Sequence, residues 1–373
     1  MRIAQVAPLA EAVPPMLYGG TERCVSWLTE ALIEAGHQVT LFASGDSVTA
    51  AELVAGSSQG LRLGGVRDLT AQHSTMLRQV RHREAEFDII HLHIDLLASK
   101  LFHGLEGKCV TTLHGRLDLP LTQPFCGVVT PMPLISVSNN QRLPMPAGVN
   151  WLATVYHGLP PQVCPYNEAG GDYLAFLGRI SPEKRPDRAI EIALRSGVPL
   201  KIAAKVDPID QAYFEREIVP LLDNPLIEFI GEIDEHEKSG FLGNALALLF
   251  PIDWPEPFGL VMIEAMSTGT PVIAWRNGSV PEIIGDGISG VIVDSISEAV
   301  DAVREVKQLS RRAVAAYGRS RFTAKRMADN YVQAYQHLLD HREPVAADVT
   351  KPMLALEQRE SRPIALGTPV VVM

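Results

Sequence analysis

The stretch RIAQVAPLAEAVPPMLYGGTERCVSWLTEALIEAGHQVTLFA, residues 2–43, decides the fold class. Arg2 to Ala7 is a short, nearly continuous apolar run of the kind that forms a strand buried on both faces. A Gly-rich loop follows at Tyr18, Gly19 and Gly20, and Thr21 is placed to cap a helix. That helix carries Val25, Leu28, Ala31 and Leu32 on one face, and Gly36 beyond it suits the left-handed position that ends a helix. Gln38 to Ala43 (QVTLFA) is the second strand. Strand, helix and strand within about forty residues make a βαβ unit, which places parallel strands under a crossover helix.

The same alternation continues outward from this unit. Apolar runs recur at Phe87 to Leu92, Cys109 to Leu113 and Leu134 to Val137. A second series starts at Tyr173 to Leu177. It runs through Leu200 to Ala204, Ile227 to Ile230, Ala245 to Phe250, Val272 to Trp275 and Val291 to Val293. Two α/β domains, each a doubly wound Rossmann-like sheet, are expected, joined near Pro160 to Gly171, where Pro and Gly accumulate and periodicity stops. Phe322 to His341 is expected to be helical, with Met327, Tyr331, Tyr335 and Leu338 at helical spacing. The expected organisation is residues 1–165 as first domain, 166–320 as second, 321–341 as a terminal helix and 342–373 as a loosely ordered, Pro-containing tail. Sheets of this kind bind ligands beyond the carboxyl ends of their strands, so a shared site lies in the cleft between the two.

Composition narrows the function. The 373 residues are 46% apolar, enough for two cores. A formal net charge of −10 argues against a nucleic-acid or anionic-membrane partner held by a broad basic surface. An anionic ligand must therefore meet a local cluster of cations. Cys24, Cys109, Cys126 and Cys164 are scattered, without a zinc or disulfide pattern, so reduced thiols in the cytoplasm are expected. The first residues lack a signal-peptide core, and no apolar run reaches the length of a membrane span.

Glu256 and Glu264, in PEPFGLVMIEAMSTGTPVIAW (255–275), carry the clearest chemical signal. Pro255 and Pro257 oppose a helix, so Glu256 is expected on an exposed loop. Glu264 lies in a helix that starts after Phe258-Gly259-Leu260 and ends near Gly269. Between the two carboxylates lie the unpartnered amides of a helix N-terminus, which bind anions. A bare pair of glutamates is otherwise an ordinary loop and surface helix. Carboxylate, amides and carboxylate suit a ligand with hydroxyls at both ends and phosphates between.

Taken together, the motifs resemble the family-4 retaining glycosyltransferases of GT-B fold. The resemblance rests on an ordered set: YGGTER, GHQVTLFASGDS, FDIIHLH, TTLHG, FLGRISPEKRPDRAIEIA, FIGEI, PEPFGLVMIEAMSTGTPVIAWRNGSVPEII and GDGISGVIV, spread through most of residues 1–340. YGGTER and KVDPIDQAYF look most like a bacterial branch that includes an antibiotic-pathway glycosyltransferase. The resemblance implies a nucleotide diphosphate sugar as donor (UDP preferred, GDP next), an acceptor hydroxyl, retention at the anomeric carbon and no metal or other cofactor. The terminal helix is expected to cross back to the first domain.

By the same resemblance, Arg179 and Lys184 hold the diphosphate, joined by the amides at Phe258, Gly259 and Leu260. Glu264 accepts the ribose hydroxyls, and Glu256 holds a hydroxyl of the transferred sugar rather than attacking it. The backbone at Ile233 meets the base, while Lys205 either reaches the nucleotide or caps its own strand. Gly19 and Gly20 let a loop close over the diphosphate. His114, at the end of TTLHG, lies near the reacting sugar and acceptor, where a histidine donates or accepts at neutral pH. His91 and His93 are assigned no metal. The acceptor is expected to meet the loops 61–68 and 117–127, and the family allows peripheral membrane contact. The alternatives are a sugar-nucleotide epimerase of the same fold and a non-catalytic nucleotide-sugar binder; an intact Gly-Gly loop and TTLHG weigh against the latter.

Overall fold

The computed structural model describes residues 1–16, 19–62, 64–66, 68–94, 101–120 and 131–341. Tyr18, Cys126, parts of the loops 61–68 and 117–127, and the tail 342–373 lie outside the described residues. Among those described, strands β1 (Arg2–Val6), β2 (Gln38–Ser44), β3 (Glu52–Ser57), β4 (Ile89–Leu92), β5 (Cys109–Leu113), β6 (Leu134–Ser136) and β7 (Trp151–Thr154) form one sheet in the order β3-β2-β1-β4-β5-β6-β7. Strands β8 (Tyr173–Ile180), β9 (Leu200–Val206), β10 (Ile227–Gly231), β11 (Ala245–Phe250), β12 (Val272–Trp275) and β13 (Gly290–Val293) form the other, in the order β10-β9-β8-β11-β12-β13. Every pairing is parallel.

Both sheets run third-second-first-fourth outward from their first strand, the dinucleotide-fold order. Their crevices therefore lie between β1 and β4 and between β8 and β11, where the winding reverses. The central strands are apolar because helices cover both faces. β4, β5 and β6 are buried throughout. The strands not expected from sequence, β3 and β7, are edge strands whose residues are at most half-buried, with only short apolar runs.

Helix α1 (Gly20–Glu34) buries Val25, Leu28, Ala31 and Leu32 as expected. Thr21, however, does not cap it. Gly19 occupies the cap position without a side-chain bond. The glycine is required there because a Cβ would meet Pro15 at 2.7 Å, so the turn into α1 is closed by packing rather than by a hydroxyl. Further helices are α2 (Thr70–His82), α3 (Pro186–Ser196), α4 (Glu235–Gly243), α5 (Leu260–Thr268), α6 (Val280–Ile283), α7 (Ile296–Glu305), α8 (Arg311–Arg321) and α9 (Ala324–Asp340).

Helix α9 crosses back to the first sheet, where it packs on α1 and β7. Thr323 caps it by accepting from the Arg326 amide at 3.1 Å. The two chain crossings run side by side: Leu159 N–H donates to Phe322 O at 3.1 Å, and Ala324 N–H donates to Leu159 O at 3.0 Å. Gly158 permits this approach, because a Cβ there would sit 2.1 Å from Thr323 O. The largest apolar cluster follows the same route. It runs from Ile3, Leu28 and Val110, through Met327, Tyr331 and Tyr335 of α9, to Met262 and Val280 of the second sheet's helices. Burial across the hinge holds the two sheets in one body.

Candidate active site

The carboxyl ends of both sheets face a cleft of about 690 Å³. Gly19, Gly20, His114, Arg179, Lys184, Lys205, Ile233, Glu256, Phe258, Gly259, Leu260 and Glu264 all line it. These positions come from six separate loops and strand ends, so the parallel topology is what assembles them.

Arg179 sits near the end of β8, and its guanidinium donates to Glu183 and lies 3.6 Å from both Asp207 and Asp210. Lys184, in the following turn, donates to Glu256. Its ammonium also lies 4.6 Å from the centre of the Trp254 ring, a cation–π contact. The turn ends in Arg185, held at φ 55° immediately before Pro186, the first residue of α3. Lys205 pairs with Asp207 at 3.0 Å. Three cations thus line the same cleft as the start of α5, each balanced by a carboxylate in an acidic protein.

Glu256 lies in a loop as expected, but it is not exposed. Its side chain is only 12% accessible because Lys184 covers it. The loop is also gripped from behind by Ser279, whose amide donates to Glu256 O at 2.9 Å and whose hydroxyl donates to Phe258 O at 2.7 Å. Gly278 makes this fit, with φ 56° and a Cβ position 2.3 Å from Glu256 N. Gly259 then turns the chain into α5 at φ 81°, and Gly269 ends that helix at φ 89°.

Glu264 is buried on α5 and accepts from Lys238 at 2.9 Å. Lys238 also pairs with Glu235 at 2.9 Å, and Glu235 pairs with Arg23 of α1. Burial opposes the Lys238 charge, but Glu264 and Glu235 outweigh it and raise its pKa. This line of charges crosses from the second domain to the first along one wall of the cleft. Arg23 stands inside YGGTER, and Glu235 and Lys238 lie on a helix whose capping box, Asp234 with Glu237, is legible as D-E-H-E. Their convergence on Glu264 is a tertiary fact without a sequence signal.

On the first domain's side, His114 is half-buried, and burial lowers its pKa to about 4. Its Nε2 lies 2.9 Å from His93 Nδ1. Its ring stacks on His157, centroids 5.3 Å apart and 8° from parallel, and His157 meets Phe258 edge-on at 4.9 Å. His157, just before the hinge glycine, is a cleft residue that its sequence context does not distinguish from a core histidine. Arg116 adds a cation over Trp254 from the first domain, 5.0 Å from the ring centre. His91 bonds to Thr112 and Tyr335, and His93 to His114 and Gln5, so both are fully engaged with protein groups.

Comparison with known proteins places this geometry. Residues 166–321 match the family model for glycosyl transferases group 1, and residues 18–161 match glycosyltransferase family 4. A phosphatidyl-myo-inositol mannosyltransferase of Mycobacterium leprae is 27% identical over 349 residues, covering 82% of this chain and 89% of the relative. A D-inositol 3-phosphate glycosyltransferase of Frankia alni is 30% identical over 188 residues, covering 45% of this chain and 46% of the relative. Among solved structures, AviGT4, a glycosyltransferase involved in avilamycin A biosynthesis, superposes with a TM-score of 0.68 at 23% identity over 92% of this chain and 99% of that one. Anabaena HepE in complex with UDP-glucose gives a TM-score of 0.68 at 16% identity, covering 90% and 100%. The two doubly wound sheets, the returning helix and the matched models on either side of the hinge make this chain a GT-B glycosyltransferase of family 4.

Proposed function

We propose that the protein transfers a hexose from a nucleotide diphosphate sugar, UDP before GDP, to an acceptor hydroxyl with retention at the anomeric carbon and without a metal ion. The observation that carries this reading is that Arg179, Lys184 and Lys205 line one cleft together with the start of α5 and with Gly19 and Gly20. A diphosphate entering there exchanges the carboxylate partners of the cations for its own oxygens, and the α5 amides supply partial positive charge. Those charges stabilise the leaving group as the bond from anomeric carbon to phosphate oxygen breaks, the part a divalent ion plays elsewhere. The acceptor oxygen then bonds to the anomeric carbon on the same face, and its proton passes to the departing phosphate.

In this reading Glu264 receives the ribose hydroxyls, the backbone at Ile233 meets the base, and Glu256 positions the transferred sugar. Glu256 is held by Lys184 and its loop by Ser279, which suits an orienting carboxylate better than a nucleophile. Lys205 joins the phosphate cluster. His114 reaches the reacting sugar from the first domain. Support for a UDP donor comes from HepE, whose structure holds UDP-glucose. We place the reaction in the cytoplasm, in keeping with the free, buried thiols of Cys24, Cys109 and Cys164. No helix among the described residues is long and apolar enough to cross a membrane.

The test is incubation with UDP-, GDP- and ADP-hexoses, with and without candidate acceptors and chelator. Acceptor-dependent release of nucleoside diphosphate that survives chelator, with an α-linked product from an α-linked donor by NMR, is the expected result. Conversion of the donor sugar to its epimer without transfer would overturn it.

A further inference from the structure

Behind His114 a file of buried polar groups leads away from the cleft into the core. His114 Nε2 lies 2.9 Å from His93 Nδ1, and His93 Nε2 lies 2.6 Å from Gln5 Oε1. The Gln5 amide nitrogen lies 3.3 Å from the Tyr335 hydroxyl of α9, which is 2.7 Å from His91 Nδ1. His91 Nε2 lies 2.7 Å from Thr112 Oγ1. Gln5, His91, His93, Thr112 and Tyr335 are all buried. Such groups are costly to bury and are retained only when every member is satisfied.

Two directions of donation satisfy this file, and the distances choose between them. Gln5 presents oxygen to His93 and nitrogen to Tyr335 in one direction, and the reverse in the other. A separation of 2.6 Å suits N–H donating to a carbonyl oxygen but is too short for two nitrogens. A separation of 3.3 Å suits an amide N–H donating to a hydroxyl and is long for O–H to a carbonyl. Gln5 Oε1 therefore accepts from His93 Nε2–H. His93, neutral because burial holds its pKa well below the ordinary value, has only a lone pair left at Nδ1. His114 Nε2 must then donate to it. The remaining ring atom, His114 Nδ1, carries a lone pair, is enclosed, and has no hydrogen-bond partner among the described residues.

We propose that His93, Gln5 and Tyr335 are positioning residues that hold His114 as the Nε2–H tautomer, so that its Nδ1 is left with a lone pair and can act only as a hydrogen-bond acceptor. The proposal rests on the transferase reading for what His114 meets, though not for the tautomer itself. It assigns α9 a chemical task beyond packing. The Tyr335 hydroxyl accepts from Gln5 and donates to His91, and so fixes which end of the Gln5 amide faces His93. Docking of the returning helix on the first domain thereby completes the orientation of a group at the reacting sugar.

The test is nitrogen-15 NMR of the full chain labelled at histidine, with the His114 ring identified by its loss in His114→Gln. The expected result is a pyridine-like Nδ1 and a pyrrole-like Nε2 at pH 7. In Gln5→Met, which removes the acceptor at similar volume, His114 should show both tautomers, and turnover should fall roughly tenfold, the scale of one lost hydrogen bond. Donor KM should move less than about twofold, whereas general loosening of the site would raise it. Tyr335→Phe should give the same change in smaller measure. A protonated Nδ1 in the wild-type chain overturns the proposal without any variant, and so does an unchanged tautomer and turnover in folded Gln5→Met. A protonated Nδ1 in an active transferase refutes only the relay, while absence of transfer with a pyridine-like Nδ1 refutes only the activity.

Discussion

At the residue scale, the site works by placing fixed charge around a fixed backbone. Arg179 is the cation nearest the end of β8, and Arg179→Ala should lower turnover by about 10²–10³, roughly 2.7–4 kcal/mol, measured as nucleoside diphosphate release at saturating donor. Unchanged turnover would remove it from the proposed phosphate site. Gly278 has no functional atom to offer, yet its place under Glu256 admits no Cβ. Gly278→Ala should therefore displace the Glu256 loop and weaken donor affinity by about tenfold while leaving the fold intact, as read by calorimetry against UDP and by circular dichroism. Arg179 and Lys184 were legible only through the ordered set of motifs that resembles a known family, since two cations five positions apart after a strand are by themselves an ordinary solvated patch. Lys238, Arg23 and His157 were not legible, because each acquires its meaning from a neighbour on another element. The covered state of Glu256 belongs with them, since Lys184 reaches it from across the crevice.

At the element scale, α9 and the two hinge crossings behave as one unit. Gly158→Ala puts a methyl group where Thr323 O now lies, so it should lower stability by about 1–3 kcal/mol or more in urea unfolding. A melting curve identical to wild type would show that the crossings separate freely. Removing the helix cap with Thr323→Ala should cost about 1 kcal/mol, since the Arg326 amide then loses its partner. The helix itself was evident from Met327, Tyr331, Tyr335 and Leu338, and all four are buried. What spacing did not disclose is that the two tyrosines turn hydroxyls inward, Tyr331 to Thr112 and Tyr335 to Gln5 and His91. An apolar stripe records burial but not the polar tips within it.

At the scale of the molecule, the contacts that join the domains among the described residues include two made through carboxylates of the second domain. Arg23 meets the Glu235–Lys238–Glu264 line on one wall. Elsewhere the Glu282 carboxylate accepts from the amides of Asn139 and Asn140 at 2.8 and 2.7 Å and from the Tyr156 hydroxyl at 2.9 Å. Glu282→Ala leaves those first-domain donors without their partner, and it should widen the distribution of domain separations in solution scattering and reduce turnover several-fold. The core also predicts sensitivity to acid. His91, His93 and His157 are buried with pKa values well below the ordinary 6.5. Each takes up a proton more readily in the unfolded chain, so stability is complete above about pH 6.5 and falls as pH drops through that value towards the folded pKa. Each group can contribute up to roughly 1.4 kcal/mol per pH unit in that window. Unfolding at pH 7 and pH 5 should show a clear loss, shallower in His157→Gln, and equal stability at both would mean these rings are not held neutral.

The alternation of buried runs and the break after Pro160 are local properties, so the sequence by itself determined two doubly wound sheets, while GRISPEK and PEPFGLVMIEAM pointed to the proposed donor positions through their resemblance to a family. Local pattern decides these because strand burial, helix stops and proline geometry act over a few residues. Only the tertiary structure decided which groups meet: Lys184 over Glu256, Arg23 against Glu235 across the cleft, Gly278 under its loop, and His114 at the head of a hydrogen-bonded file that ends on α9. Those relations depend on strand order and on a helix returning to α1 from some three hundred residues further along the chain, and no periodicity records a contact made at that separation.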